Sequence, residues 1–203
     1  CVARFLFSSR AEVSGPPCYA QAIAEVPPRA PLTPSAVAKL ASSQSLDFSR
    51  RQPGLDPVVF RFFNIFGPRQ DPSSPYSGVI SIFSERALQG LPITVFGDGE
   101  QTRDFLYVGD LVRVMVQALE QAQVGEGAVN IGLNQATSLN QLLAALQQVI
   151  GSLPAISHAA PRAGDIRHSR ADNQRLLARF EFPQATSLTE GLAQLLSNPA
   201  TSR

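Results

Sequence analysis

The chain has 203 residues, 44% hydrophobic and 16% charged, enough for one sizeable core or two small ones and too apolar for a disordered chain. Its net charge of +1 gives no electrostatic basis for binding nucleic acid or an anionic membrane, and no apolar run approaches the roughly 20 residues that span a bilayer. Cys1 and Cys18 are the only cysteines and His158 and His168 the only histidines, too few and too badly spaced for a zinc cluster or a disulfide framework.

Taken in chain order, residues 2–8 (VARFLFS) read as a short buried strand. A folded domain rarely begins on a central strand, so further structure is expected ahead of residue 1. Residues 14–34, rich in Pro and Ala, read as a long loop. Residues 35–51 have helical spacing with Val37, Leu40 and Leu46 on one face, and Pro53-Gly54 stops the helix. Residues 57–63 (PVVFRFF) read as a continuous apolar run, as in a strand covered on both faces. Gly67, Pro68, Pro72 and Pro75 mark 64–77 as a loop.

The spacing then predicts an amphipathic helix over 78–89, with Val79, Ile82, Phe83 and Leu88 inward. Residues 93–96 read as a strand and Gly97-Asp98-Gly99 as a turn. Asp110 is placed as the N-cap of a helix over 111–121. Residues 128–131 are strand-like, Ser138 caps a helix ending at Ile150, and 155–158 read as a short strand. Asp172 starts a helix to Arg179, and Ser187 with Glu190 forms a capping box ahead of 192–196. Alternating strands and helices predict an α/β protein. Residues 1–77 read as the end of a parallel sheet and 78–203 mainly as a smaller mixed lobe, with chain segments crossing between them and linkers near 64–77 and 161–172.

Two polar clusters interrupt these elements: FGDGEQTRDF (96–105) and PRAGDIR (161–167). Each sets a glycine turn beside an arginine and an aspartate. A guanidinium fork matches a phosphate or carboxylate bidentately, an adjacent carboxylate holds the fork or accepts a sugar hydroxyl, and glycine admits a ligand close to the backbone. The bland alternative is a pair of surface turns with local salt bridges. The segment 62–69 (FFNIFGPR) follows a strand end, where open parallel sheets bind ligands; alternatively, Asn64 closes a turn on its own backbone. Asp104 and Asp110 read poorly as an acid–base pair, because Asp110 is better explained as a cap. Tyr107 reads as a core or rim aromatic and His168 as a surface or hydrogen-bonding group. Ser8 and Ser9 end a strand without the G-x-S-x-G elbow of a hydrolase.

In these motifs the chain resembles the extended short-chain dehydrogenase/reductases of the nucleotide-sugar epimerase/dehydratase group, in particular the UDP-hexose and UDP-N-acetylhexosamine 4-epimerases. The resemblance runs from Arg4 to Leu196 and is carried by RFFNIFGPRQDPSSPYSGVI (61–80), FGDGEQTRDFLYVGDL (96–111) and RAGDIRHSRAD (162–172). It implies a Rossmann-like parallel sheet whose glycine-rich N-terminal half is missing here, joined to a smaller α/β substrate-binding lobe. It implies NAD as cofactor and a UDP-sugar as substrate. In the family, hydride leaves C4 of the sugar and returns to the other face of a 4-keto intermediate, so NAD is regenerated in each cycle. Lys39, the only lysine beside 16 arginines, is implied as the lysine of the family's Tyr-x-x-x-Lys pair, binding the nicotinamide ribose and lowering the tyrosine pKa. Ser8 and the backbone of Phe63 complete the cofactor side. Asn64 is implied beside the sugar diphosphate, residues 79–83 (Val79 first) and Phe96 along the nucleoside, Arg103 and Arg162 on the diphosphate, and Asp165 on a ribose hydroxyl or on Arg162. No metal is implied. A cytoplasmic protein is expected, and a homodimer through helix 35–51.

The departures are as informative. The family's tyrosine falls at Ser35, and its second catalytic hydroxyl, usually Ser or Thr, aligns with Arg10; Ser8 or Ser9 substitutes only after a register shift and would point elsewhere on the strand. Ser14 also stands where a tyrosine is usual. A serine hydroxyl is too short and too weakly acidic to replace a phenol as general base. The expectation is therefore an NAD-dependent UDP-sugar 4-epimerase by descent, inactive as this chain stands. The alternatives are a non-catalytic nucleotide-sugar-binding or interaction module, and a nucleotide-sugar 4,6-dehydratase. The dehydratase needs an acidic pair near the tyrosine motif, where only Glu12 stands.

Overall fold

The computed structural model describes residues 4–14, 22–25, 31, 33–51, 54–74, 78–121, 124–162, 164–182 and 184–198. Cys1, Cys18 and most of the 14–34 segment lie outside them. The chain runs through β1 (Arg4–Arg10), a 3-10 turn (Ala11–Ser14), α1 (Pro34–Ser49), β2 (Asp56–Phe62) and β3 (Asn64–Phe66). There follow α2 (Val79–Leu88), β4 (Ile93–Phe96), β5 (Thr102–Arg103), β6 (Phe105–Tyr107) and α3 (Val108–Glu120). The last part holds β7 (Val129–Ile131), β8 (Thr137–Ser138), α4 (Leu139–Ile150), β9 (Ile156–Ala159), α5 (Gln174–Arg179) and α6 (Leu188–Ser197).

β1, β2 and β7 form one parallel sheet in that order, with Phe7 opposite Val59 and Ser9 opposite Arg61. α1 crosses between β1 and β2, as the strand–helix–strand order predicts. Side chains alternate across the sheet. Leu6, Val58, Phe60 and Phe62 face a core closed by Val114 of α3 and Leu176 of α5. Phe7 and Ser9 face α1, where Lys39 Nζ lies 4.6 Å from the Phe7 ring centroid and Ser43 Oγ 3.4 Å from Ser9 Oγ.

The inner face of α1 differs from the expected one. Ala36 and Ser43, two turns apart, are its buried residues, whereas Val37 is 52% exposed. Small side chains let the helix lie close against β1 and β2, which placed larger apolar residues off that face. The helix also starts one residue earlier: Thr33 caps it, its Oγ1 accepting the Ala36 N–H at 3.1 Å. α2 buries Ile80, Phe83 and Ala87 and leaves Leu88 exposed, again a shift of the inner face. α3 begins at Val108, so Asp110 is not its N-cap. Asp110 is buried in the first turn, pairs with Arg113, and accepts the Thr186 N–H at 2.8 Å and the Thr186 hydroxyl at 2.9 Å.

A second core gathers β4 and β6 with α2, α4 and α6 around Phe83, Ile93, Leu142, Leu146 and Leu192. α4 and α6 both carry the capping boxes read from the sequence, Ser138 with Gln141 and Ser187 with Glu190. Short pairings complete this region: β3 with β6 and β4 with β9 parallel, β5 with β8 antiparallel. The two cores interleave along the chain, because Leu106, α3, β7 and Leu176 return to pack on the first sheet.

Candidate functional site

β2 stays with β7 through Phe62, and the Phe63 N–H still donates to Ile131 O at 3.1 Å. From Asn64 onward the chain leaves that sheet and pairs with β6, the Asn64 N–H donating to Asp104 O at 3.1 Å. Where these pairings part, beyond the carboxyl ends of β1 and β2, a cleft of about 580 Å³ opens. Ligands of open α/β sheets bind in such a place. Ser8, Ser9, Arg10, Lys39, Phe63, Asn64, Val79, Arg103 and Asp165 line it; Ser35, Phe96 and Arg162 are not among its lining residues.

The sheet end of the cleft carries two cations. Lys39 Nζ donates to Ser8 O at 2.7 Å, so α1 delivers its ammonium to the tip of β1. Arg10 is gripped by Glu12: Nε lies 2.7 Å from one carboxylate oxygen and Nη2 2.9 Å from the other. Ser9 is buried beside Ser43, while Ser35 is exposed on the first turn of α1. Thr33, not Ser35, reaches the cleft wall.

At the opposite end, Arg103 Nη2 meets the Asp165 carboxylate at 2.5 Å. Of the two partners expected for Asp165, a ribose hydroxyl or Arg162, the second meets it through a backbone bond, Asp165 N–H to Arg162 O at 3.2 Å. Arg162 stacks its guanidinium 3.9 Å from the Phe96 ring centroid instead. The two glycine loops are stitched together. Arg167 pairs with Asp98 at 2.8 Å, the Thr102 N–H donates to Arg167 O at 2.8 Å, and Thr102 Oγ1 bonds His168 Nδ1 at 3.0 Å. Gly97 and Gly99 turn the first loop with φ of 88° and 78°, in the left-handed region that glycine adopts freely. Hydrogen bonding from Arg167 is the main cause holding the Asp98 carboxyl below the usual aspartate range.

Between the two ends, α2 points its N-terminus at the cleft through Gly78, Val79 and Ile80. Gly78 supplies no side-chain cap, so the helix presents amide groups and the positive end of its dipole there. Beneath the floor, Asp104 is fully buried and accepts the N–H groups of Leu133, Asn134 and Ala171 at 2.8, 3.0 and 2.9 Å. Burial outweighs these donors and holds its carboxyl above the usual aspartate range. A Cβ on Gly132 would stand 2.8 Å from Asp104 Oδ2, so that turn requires glycine.

One polar group went unnoticed in the sequence. Arg61, inside the run 57–63, is 1% exposed and donates to Glu25 O at 2.9 Å. Glu25 is buried too, and its carboxylate accepts the Asn130 N–H at 3.0 Å. Together they fasten the segment carrying Ile23, a wall of the cleft, to β2 and β7. A charged residue within an apolar strand was the available signal.

A family model for the NAD dependent epimerase/dehydratase family matches residues 1–132. The chain belongs to this family. Among curated relatives, the UDP-glucose 4-epimerase of Mycolicibacterium smegmatis is 36% identical over 188 residues, which are 92% of this chain and 59% of that protein. Among solved structures, the UDP-N-acetylglucosamine 4-epimerase of Methanobrevibacter ruminantium, in complex with UDP-N-acetylmuramic acid, matches with a TM-score of 0.89 at 32% identity; the match covers 97% of this chain and 62% of that one. The UDP-glucose 4-epimerase of Thermotoga maritima with UDP-glucose gives 0.86 at 35% identity, covering 97% and 63%. The chain thus spans less than two thirds of the length of these relatives. Its α/β architecture with parallel sheets is the one the motifs imply. Among the described residues no helix is long and apolar enough to cross a membrane.

Proposed function

We propose that this chain is the sugar-nucleotide-binding part of an NAD-dependent UDP-sugar 4-epimerase. The observation that carries the reading is the single cleft that brings Lys39, Asn64 and the Arg103–Asp165 pair together at the parting of β2 from β7. Relatives with this fold are complexed with UDP-glucose and UDP-N-acetylmuramic acid. Arg103 is the diphosphate contact, Asp165 holds its guanidinium and turns to a ribose hydroxyl when phosphate arrives, and the α2 N-terminus adds its dipole. Asn64 lies beside the sugar diphosphate. Val79 serves the nucleoside end, whereas Phe96 and Arg162, stacked on each other outside the cleft lining, take no part in holding the diphosphate.

The residues present fit the nicotinamide end of NAD. Lys39 reaches the cleft with one of its three N–H groups given to Ser8 O, which leaves donors for a ribose. The Phe63 carbonyl, accepting from the Ile65 N–H at 3.1 Å, keeps a second lone pair. Ser8 and Ser9 border the same space. NAD, when bound, supplies the acceptor and donor of hydride. The pyrophosphate of NAD needs a glycine-rich strand-to-helix turn, and none occurs within these 203 residues. Ser35 stands outside the cleft lining, and Arg10 is tied to Glu12, so the chain as given lacks a positioned base and does not turn over. The exposed Val37 and Phe48, on one face of α1 three turns apart, support pairing of two copies through that helix. A cytoplasmic setting belongs to the same reading and is supported by the low cysteine content.

The exposed Ser35 also favours a second reading, a module that binds nucleotide sugars without chemistry. Titration of UDP-glucose with and without NAD, followed by assay for the C4 epimer, tests the proposal and separates the two. Binding of UDP-glucose in the absence of NAD is expected, with no epimer formed by the unmodified chain. Epimer formed by this chain would overturn the assignment of its residues; absence of UDP binding would overturn the site.

A further inference from the structure

We propose that Arg10 makes the reacting end of the cleft selective for a sugar that carries a carboxylate. The inference rests on the nucleotide-sugar reading and narrows its substrate class. Three basic side chains line the cleft: Arg10, Lys39 and Arg103. Arg103, with Asp165, occupies the loop end, which leaves Arg10 and Lys39 at the strand end, where the sugar of a diphosphate-anchored ligand extends. Lys39 spends one donor on Ser8 O. Arg10 occupies the place where the family's second hydroxyl aligns, so a long cation stands where a short neutral group would meet a neutral sugar.

The guanidinium geometry keeps this cation available. Glu12 engages the side edge of the fork, Nε and Nη2. Five N–H groups in a plane form two edges, so the end edge, Nη1 with the second Nη2 hydrogen, remains, and no other described residue takes it. Half-exposed Glu12 holds the fork in place as Asp165 holds Arg103. A carboxylate on the sugar completes a second bidentate contact with charge-assisted bonds. A neutral hydroxymethyl group in the same position offers the end edge only a weaker, uncharged acceptor, while Glu12 keeps the side edge. The cleft therefore has two arginine–carboxylate pairs, one at each end, for a ligand with two anionic groups.

Calorimetric titration of the 203-residue chain with UDP, UDP-glucose and UDP-glucuronic acid tests the inference. UDP-glucuronic acid is expected to bind about tenfold more tightly than UDP-glucose, the lower range for hydrogen bonds between charged groups. In Arg10→Met that ratio should fall to about one, and Arg10→Lys, which keeps the charge and loses the fork, should restore only part of it. Arg103→Ala should weaken both sugars and leave their ratio in place. The ratio is read within each variant, so a partly unfolded preparation does not mimic the effect. Equal binding of the two sugars by the wild type, or a ratio that survives Arg10→Met, overturns this inference alone. Failure of UDP itself to bind overturns the nucleotide-sugar reading and this inference with it.

Discussion

Asp104 shows how much of the site depends on one side chain. Its oxygens gather amides from the turn after β7 and from Ala171, ahead of α5, while its own carbonyl receives Asn64. Asp104→Ala leaves the buried Ala171 N–H and the partly buried N–H groups of Leu133 and Asn134 without their acceptor, and should cost about 1–3 kcal/mol, the penalty of one buried unpaired group, in urea unfolding. The pH dependence has a definite sign. The folded carboxyl lies above its ordinary value because burial disfavours the charge, so the folded state holds the proton more tightly than the unfolded chain. This contribution is present in acid and is lost as pH rises from about 4 through the raised folded value. The stability of wild type minus that of Asp104→Asn should therefore decline over that window; a flat difference contradicts the assignment. Asp104 was visible in the sequence only as part of a polar cluster, since its partners lie 29 to 67 positions away. Arg61 was hidden for a related reason: its acceptor, Glu25 O, comes from a segment whose docking no local pattern announces.

Among the elements, those with local signals were legible. β1, β2, β4 and α4 fall within two residues of their predicted spans, and α6 carries its predicted cap although it starts four residues earlier, because alternation, apolar runs and caps are written in neighbouring residues. Ser138→Ala removes the acceptor for the Gln141 N–H and should cost about 1 kcal/mol in thermal or urea unfolding, since α4 carries Leu142 and Leu146 of the second core. β3, β5, β6 and β8 were not legible. They are two or three residues long and are defined by partners distant in sequence. The packing face of α1 was misread because its close approach to the sheet selects Ala36 and Ser43 over larger residues. The consequence is an outward apolar face with Val37 52% and Phe48 62% exposed. Sedimentation should give a dimer for the wild type and a monomer for Phe48→Glu. A monomeric wild type, or a Phe48→Glu dimer, contradicts pairing through α1.

For the whole molecule, the proposed activity depends on the two ends of the cleft together. α1 and β1 carry Lys39 and Arg10 to one end of the cleft, and Arg103 of β5 and Asp165 of the second glycine loop stand at the other. On the proposed reading, turnover would further require a phenol near Lys39 and a pyrophosphate-binding turn. Ser35→Tyr with Arg10→Ser should restore nothing in this chain alone. The same changes should yield epimerisation of UDP-glucose once a matching glycine-rich half is fused ahead of residue 1, since a positioned base contributes about 10²–10⁴ in rate. Product formation by the doubly changed chain without the fusion would show that the cofactor half is not needed.

On the proposed reading, the cleft holds a nucleoside diphosphate through Arg103. Isothermal titration of UDP into the wild type and Arg103→Ala measures it most directly. One saturable site is expected, weakened in Arg103→Ala by about 1.5–3 kcal/mol, the range for a hydrogen bond to a charged group. Equal affinity in the two proteins, or no binding of UDP by the wild type, would contradict it.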